Sequence, residues 1–430
     1  MQPRGQFIIL ADPFFAKIWK QRPLCLHLCS KLYKIVFMKA ANRWVFVDIF
    51  RFTAVVLMLQ GHTFDAYLAP EIKKMDWFQG AHTFIHGFTS PIFLFSSGLA
   101  FGVATFRKWT HFIQWSPALW KRIRRYLLLL AIGYWLHLAY FSFYKILTQM
   151  SEKNVLFFFQ IDALQIIGIT LAFCQFSVYL LKKKKVFIAV LSFWFVSIFF
   201  ITPYLWGSDL QAFPLWIRGY LDKSIGSYFP IFPWSMYLLA GIISAYFFKK
   251  WQESLSLKQI LIRFSSIGIL CIAIGKPGIE YWINPFKDPD GVYSFLVLHN
   301  LGYILLIISC LYWLDQAYIQ PKISKNPHGL PLLRYVTLMG QETLAIYVMH
   351  LFIVYGSPLN QSILPSMRYN MQVLPALIYA LLLFILMFYY ARFWSWFKKE
   401  KPSEFRTFQI VGTGLLLYLF LINDWVIHLI

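Results

Sequence analysis

Apolar runs long enough to cross a lipid bilayer recur along most of the chain, separated by short polar or charged stretches. A helix is the spanning structure that satisfies its own backbone hydrogen bonds in lipid, so each run is predicted to be helical. The pattern therefore predicts an all-α, polytopic transmembrane helical bundle. About eleven spans are expected, near 46–68, 81–105, 126–144, 156–181, 186–206, 229–248, 259–281, 293–315, 335–356, 373–397 and 409–429.

Charge composition supports this class and predicts an orientation. Of the 430 residues, 59% are hydrophobic and 13% are charged, whereas soluble domains carry about a quarter charged residues. The net charge of +22 would suggest nucleic-acid binding in a soluble protein. Here, 30 of the 40 Lys and Arg residues fall in alternate segments that include the N-terminal one, and 8 fall in the opposite loops. The positive-inside rule then predicts a cytoplasmic N-terminus, an extracytoplasmic C-terminus and no nucleic-acid partner.

The domain organisation follows from the first apolar run. Residues 1–43 are predicted to form a basic cytoplasmic arm, and Met38 is an alternative start that would make the arm an over-extension. Residues 44–430 are predicted to form one transmembrane domain. Whether the domain forms a homo-oligomer is left open by the sequence.

The first run carries four ionisable residues inside a segment of spanning length: Asp48, Arg51, His62 and Asp65. Such groups are expensive in lipid and mark functional sites. Arg51 and His62 are eleven residues apart, about three helical turns, so they share one face of the helix. Asp48 lies three residues before Arg51, and Asp65 lies three residues after His62, so each acid can contact its basic neighbour.

Further polar residues fall in the half of the membrane that holds His62, if the predicted orientation applies. They predict a polar pocket that opens on the extracytoplasmic side, where an acceptor substrate could bind. His82 and His86, one helical turn apart, could instead bind zinc together with His62 or serve helix packing. We expect no metal at this site. The acceptor-side candidates are His82, His86, Asp162, Gln165 and His299.

Three motifs appear in a common order along the chain. Asp48-x-x-Arg51 is followed by ten residues and His62, KRIRR occupies 121–125, and MGQETLAIYVMH occupies 339–350. Together with SPIFLFSSGLAFG, DALQIIG and FPWSMYLLAG, they resemble the membrane-embedded acyltransferases. Within that superfamily, the chain resembles the heparan-alpha-glucosaminide N-acetyltransferase-like branch, a relative of the acyltransferase-3 proteins, over about residues 43 to 356.

The resemblance implies transfer of an acyl group, usually acetyl, from a cytoplasmic acyl-CoA to an extracytoplasmic sugar, glycan or lipid-linked acceptor. It also implies an integral membrane protein of the bacterial inner membrane. The family's intramembrane histidine maps onto His62, its arginine onto Arg51, and its paired arginines onto Arg122 and Arg125. One departure is Phe52, where the family usually has glycine directly after the arginine, which puts a close approach of helix or donor at this position in doubt.

The chemistry of these residues agrees with acyl transfer. A neutral histidine can take the proton of an acceptor hydroxyl or amine near neutral pH, and His62 is predicted to do so, with Asp65 orienting it. An acyl-histidine intermediate at His62 is equally open. An arginine can bind phosphate through two hydrogen bonds in a bidentate arrangement. Arg51 (beside Asp48), Arg122 and Arg125 are therefore predicted to bind the CoA phosphates.

Two other classes of protein remain as alternatives. A transporter or flippase of an anionic glycan or lipid would use the same intramembrane charges as a permeation path. A non-catalytic scaffold would not depend on His62. An orienting ion pair at the cytoplasmic interface is the alternative role for Arg51, and a topology signal is the alternative for KRIRR.

Overall fold

The computed structural model describes residues 44–281, 292–326, 330–357, 359 and 362–424. The basic arm predicted at 1–43 lies outside this part of the chain. The all-α prediction is confirmed for the described residues, where the strand-like pairing consists of an isolated bridge between Leu68 and Met371.

The described residues form nineteen α-helices, numbered in chain order, with a π-helix at Asp315–Ile319 between the fourteenth and fifteenth and a 3-10 turn at Pro365–Met367. The helices are α1 Val45–Tyr67, α2 Pro70–Lys73, α3 Asp76–Gly87, α4 Thr89–Arg107, α5 Trp109–Phe112, α6 Pro117–Leu136, α7 Phe143–Thr148, α8 Glu152–Phe159, α9 Ala163–Leu181, α10 Lys184–Trp206, α11 Leu215–Leu221, α12 Ile231–Gln252, α13 Leu257–Tyr281, α14 Val292–Leu314, α15 Gln320–Lys325, α16 Pro331–Gln341, α17 Thr343–Val354, α18 Val373–Glu400 and α19 Pro402–Ile422.

Within the described ranges, nine helical segments are long and apolar enough to cross a membrane, or ten if the bent pair α16 and α17 forms one span. These correspond to ten of the eleven predicted runs. The remaining run, predicted near 126–144, is instead the helix α6, which begins at Pro117 and ends at Leu136. Its first half carries the KRIRR cations, so α6 does not have the apolar character of the other spans.

The helix α1 is central to the bundle. It packs against α3, α4, α14, α16, α17 and α18. In its most apolar stretch of 18 residues, 56% of the residues are buried inside the protein, compared with 0% in the corresponding stretch of α19 at the periphery. The ring of Phe50 contacts Phe95 on α4, and His62 contacts His86 on α3. Residues later in α1 thus meet residues earlier in the α3–α4 segment, so the two segments run antiparallel.

Small residues bring α4 and α12 into close contact. A Cβ atom added at Gly98 would overlap the backbone carbonyl of Leu238, and one added at Gly241 would overlap that of Phe95. The two helices therefore approach backbone to backbone, as small residues permit in membranes. This close approach joins the second predicted span to the sixth.

The junction between α16 and α17 bends by 73°. Glu342 lies at the bend, is 6% exposed, and forms an ion pair with Lys398 of α18, with 2.7 Å from Nζ to each carboxylate oxygen. The next residue, Thr343, accepts a hydrogen bond from a terminal nitrogen of Arg51 at 2.5 Å. Two consecutive residues thus tie the start of α17 to α18 and to α1.

Candidate active site

His62 lies in the last third of α1, and its imidazole meets the residue that follows α17. Its Nδ1 is 3.0 Å from the hydroxyl oxygen of Tyr355, and the same hydroxyl lies 3.4 Å from the backbone carbonyl of His62. Because Arg51 contacts the first residue of α17 and His62 contacts the residue after its last, α1 and α17 run side by side in the same direction. The predicted common face of Arg51 and His62 is confirmed, and it is the face towards α17.

The two contacts of Tyr355 indicate the tautomer of His62. Both contacts are satisfied together in one tautomer, in which Nδ1–H of the imidazole donates to the hydroxyl oxygen and the hydroxyl donates to the carbonyl of His62. In this arrangement Nε2 of His62 carries the lone pair. Nε2 makes no hydrogen bond with the described residues.

A second imidazole, that of His350 on α17, packs against His62. The ring centroids are 5.2 Å apart with an interplanar angle of 38°. His350 is fully buried, and its Nδ1 donates to the carbonyl of Ile346 at 3.0 Å. Its Nε2 is buried and has no hydrogen-bond partner among the described residues. An unsatisfied polar atom of this kind costs about 1–3 kcal/mol, so its retention needs a reason.

Tyr347 links this pair to the start of α9. Its ring contacts His350 edge-on at 5.7 Å and stacks on Phe93 at 5.8 Å, and its hydroxyl donates to a carboxylate oxygen of Asp162 at 2.9 Å. The other oxygen of Asp162 caps α9 by accepting from the backbone of Ala163 at 2.6 Å. Asp162, predicted on the acceptor side, therefore reaches the histidine pair through Tyr347.

Gln165 completes the cap of α9. Its side-chain oxygen accepts from the backbone N–H of Asp162 at 3.2 Å, and its Nε2 is buried with no hydrogen-bond partner among the described residues. A Cβ atom at Gly133 of α6 would overlap the carboxamide, so the glycine makes the room in which Gln165 lies. Gln165 is thus fully buried beside Asp162, which in turn contacts Tyr347.

Asp65 contacts two histidines of α3. One carboxylate oxygen lies 3.2 Å from Nε2 of His82, and the other lies 3.3 Å from Nε2 of His86. These imidazoles stack on each other with centroids 5.2 Å apart. The predicted contact of Asp65 with His62 is replaced by this arrangement, because α3 packs against the same end of α1 and brings two donors to the carboxylate.

The Asp65 cluster is joined to His62 through His86, whose ring centroid lies 6.0 Å from that of His62. Gly61 allows this contact, since a Cβ there would overlap Nδ1 of His86. Lys73, the last residue of α2, donates to the backbone carbonyl of Asp65 at 2.6 Å. Burial lowers the pKa of Lys73, and the Asp65 carboxylate partly opposes this effect.

His299 lies apart from these residues. It is on α14, where its backbone packs against Gly275 of α13, and its ring contacts Tyr303 at 5.0 Å. Tyr303 in turn contacts Phe88, which follows α3. The assignment of His299 to the acceptor side remains a prediction.

At the other end of α1, Asp48 is 5% exposed, and its backbone lies against Gly340 of α16. The neighbouring Phe52 packs edge-on against Phe384 of α18, with ring centroids 6.2 Å apart. Phe52 also lines an apolar cavity of about 400 Å³ between α1, α16 and α18, with Arg392 at its rim. The bulky residue that departs from the family pattern thus faces α18, whereas Arg51 faces α17.

Arg122 and Arg125, the two arginines of KRIRR that were predicted to bind the donor, have different surroundings. Arg122 donates to the Thr105 hydroxyl at 2.8 Å and to the Gln175 carboxamide oxygen at 3.0 Å, and its guanidinium lies 3.5 Å above the Phe112 ring centre. Arg125 is exposed. Arg122 therefore holds α4, α5, α6 and α9 together, while Arg125 is exposed to solvent, as are Lys121 and Arg124.

The described residues contain no group of three His, Cys, Asp or Glu side chains placed to hold a metal ion. Of the three histidines in the zinc alternative, His82 and His86 both contact the Asp65 carboxylate, and His62 contacts Tyr355.

Three residues of the site were not among the sequence-predicted candidates: Tyr355, His350 and Tyr347. Tyr347 and His350 lie three residues apart in the MGQETLAIYVMH motif, so one turn of helix presents both on one face. That polar pair inside a predicted span was the available signal. Tyr355 lies just beyond the motif, and its role arises from where α17 ends.

Comparison with known proteins identifies the family. The family of the heparan-alpha-glucosaminide N-acetyltransferase catalytic domain matches residues 43–284, more than half of the chain. The match includes His62, Asp65, His82, His86, Asp162, Arg122 and Arg125. No curated protein matches the chain. The protein therefore belongs to the heparan-alpha-glucosaminide N-acetyltransferase catalytic family, as an all-helical, membrane-embedded enzyme of the acetyltransferase class.

Proposed function

We propose that this protein transfers an acetyl or other acyl group from acyl-CoA, on the side of the membrane that holds the start of α1, to a sugar, glycan or lipid-linked acceptor on the opposite side. One observation carries the proposal. His62, inside the central helix of a chain that belongs to an acetyltransferase family, has Nδ1 held by Tyr355 and Nε2 without a hydrogen bond to the described residues.

Acyl transfer needs a group that removes a proton from the acceptor. The lone pair on Nε2 of His62 can take the proton of a hydroxyl or amine while Tyr355 keeps Nδ1–H as a donor and so maintains the orientation of the ring. The same nitrogen can alternatively attack the thioester carbonyl and carry the acyl group. In both cases, the acyl carbon gains a bond to the acceptor atom, and the carbon–sulfur bond breaks with its electron pair on sulfur.

The donor is proposed to approach the end of the bundle where Arg51 and the KRIRR segment lie. CoA carries several phosphate charges, which guanidinium groups bind strongly. Arg125, exposed in the first half of α6 together with Lys121 and Arg124, can meet a phosphate from solvent, while Arg51 lies deeper, at the start of α17. The 8 Lys and Arg residues before α1 and the 6 in residues 106–125, at and after the end of α4, support a cytoplasmic location for this end, with a bacterial inner membrane as the proposed location.

Transfer of radiolabelled acetyl from acetyl-CoA in purified membranes tests the proposal. His62→Asn removes Nε2 while it leaves a polar group near the Tyr355 hydroxyl, and Val56→Ala, on an exposed position of the same helix, is the matched control. We expect label in a glycan or lipid product with wild type and Val56→Ala, and a loss of about 100-fold or more with His62→Asn. Equal labelling by His62→Asn would remove His62 from the chemistry. If wild type consumes neither acetyl-CoA nor a longer acyl-CoA, but moves an anionic glycan or lipid, the protein is a transporter instead.

A further inference from the structure

His350 presents a second buried basic nitrogen beside His62. The two imidazoles have the same arrangement, in which Nδ1–H donates to oxygen and Nε2 carries the lone pair. For His62 the acceptor is the Tyr355 hydroxyl, and for His350 it is the Ile346 carbonyl, which only accepts and therefore sets the tautomer. The ring centroids are 5.2 Å apart.

A purely structural role does not account for Nε2 of His350. The side chain is 0% exposed, and Nε2 has no hydrogen-bond partner among the described residues. The ring itself is well packed, since Tyr347 and His62 both contact it. A phenylalanine or leucine would fill such a site without an unsatisfied polar atom, so the nitrogen indicates a hydrogen-bond donor that arrives with a ligand.

We propose that Nε2 of His350 binds the acceptor substrate, through a hydroxyl or amine group that neighbours the one acylated at His62. This inference rests on the proposed function and extends it to a rule of specificity. Two imidazoles with ring centroids 5.2 Å apart, each offering Nε2 as a hydrogen-bond acceptor, match an acceptor substrate with donors on neighbouring carbons, as in a sugar ring. An acceptor with a single donor would leave Nε2 of His350 unsatisfied, as it is without a ligand.

The chemical step remains balanced with this assignment. The reacting oxygen or nitrogen gives its proton to Nε2 of His62 and forms the bond to the acyl carbon, and the carbon–sulfur bond breaks to leave the thiolate of CoA. The proton on His62 then passes to that thiolate. His350 keeps its Nδ1 proton throughout and donates it in a hydrogen bond to the Ile346 carbonyl. Its Nε2 accepts a hydrogen bond from the neighbouring group of the acceptor. His350 therefore positions the acceptor and neither gains nor loses a proton in the net reaction.

The test pairs variants of His350 with matched acceptors. His350→Asn keeps a polar group near Nδ1 and the Ile346 carbonyl but removes Nε2, whereas His350→Gln places a polar atom near Nε2. His137→Asn is the control, because His137 is 5% exposed and its Nδ1 also donates to a backbone carbonyl, that of Gln160 at 3.0 Å. The acceptors are methyl hexosides and hexosaminides, each compared with the analogue that lacks one hydroxyl next to the acylated position, with labelled acetyl-CoA as donor.

We expect wild type and His137→Asn to prefer the complete sugar over its deoxy analogue by about tenfold in kcat/KM, the effect of one hydrogen bond. His350→Asn is expected to lose about tenfold on the complete sugar, to lose the preference, and to keep the KM for acetyl-CoA. His350→Gln should recover part of the preference. A variant that is merely misfolded would lose activity on both sugars and lower the melting temperature, and would leave the ratio of the two rates unchanged.

The outcomes separate this inference from the proposed function. If wild type acylates the sugars and His350→Asn keeps the full preference for the complete sugar, the role of His350 is overturned while acyl transfer stands. If the preference is absent in wild type, the second binding contact is also overturned. If wild type acylates no sugar and consumes no acyl-CoA, the proposed function itself fails.

Discussion

The hydroxyl of Tyr355 lies 3.0 Å from Nδ1 of His62, although the two residues are 293 positions apart in the chain. The same hydroxyl lies 3.4 Å from the backbone carbonyl of His62, so it contacts both the ring and the main chain of one residue. This pairing joins the end of α17 to the last third of α1 and occupies Nδ1 of His62, while Nε2 makes no hydrogen bond with the described residues.

Replacing Tyr355 with phenylalanine is expected to lower the rate of acyl transfer by about tenfold or more. The phenyl ring keeps the edge-on contact with His62, whose centroid distance is 5.5 Å, but nothing then holds Nδ1–H, and the ring can adopt the other tautomer. Steady-state transfer of labelled acetyl measures the effect.

The control for this change is Tyr312→Phe, which removes a hydroxyl that accepts a hydrogen bond from Gln252 at 3.0 Å, near the other end of the bundle. Tyr312→Phe should retain wild-type transfer. Equal rates for Tyr355→Phe and wild type would show that the tyrosine hydroxyl does not orient the catalytic ring.

Arg122 and Arg125 are expected to respond differently to substitution by alanine. Arg122 has two side-chain partners and packs on the Phe112 ring, so Arg122→Ala should lower the melting temperature and weaken activity through the loss of packing. Arg125 is exposed, so Arg125→Ala should leave the melting temperature unchanged and raise the KM for acetyl-CoA by about tenfold if it binds a phosphate.

Thermal unfolding in detergent and initial rates over a range of acetyl-CoA concentrations distinguish the two effects. Exposed Arg124, whose guanidinium lies 5.1 Å from the Trp120 ring centre, provides a neighbouring cation as control. An unchanged KM in Arg125→Ala would exclude this residue as a donor ligand and leave the KRIRR segment as a topology signal.

Substitution of Gly98 by alanine is expected to destabilise the protein by about 1–3 kcal/mol. The added methyl group would overlap the carbonyl of Leu238, and a backbone atom cannot move aside as the tip of a side chain can. The helices α4 and α12 would have to separate, which loses contact along their whole interface.

The matched substitution is Gly412→Ala on α19, where an added Cβ meets no heavy atom within 4 Å. Alanine favours the helix there, so the melting temperature should stay the same or rise slightly. A melting temperature for Gly98→Ala as high as that of Gly412→Ala would contradict the close approach of α4 and α12.

The recurrence of apolar runs is sufficient to predict the helical membrane fold, because a run of spanning length can form few other structures in lipid. It also places Arg51 and His62 on one face, since helical rotation depends only on their separation of eleven residues. The pattern was misleading at the start of the third run, which was predicted near residue 126. The helix α6 begins at Pro117, so the cations of KRIRR lie inside it and not before it. The local rules thus define each helix and its polar face.

The partners of those faces come from helix packing, on which local periodicity carries no information. Spacing alone allows Asp65 to contact His62, but α3 brings His82 and His86 to its carboxylate instead. The 73° bend before α17 brings Thr343 to Arg51 and aligns α17 with α1, so that His350 and Tyr355 reach His62. Contacts between residues nearly 300 positions apart depend on which helices become neighbours, and that is decided by the packing of the whole bundle.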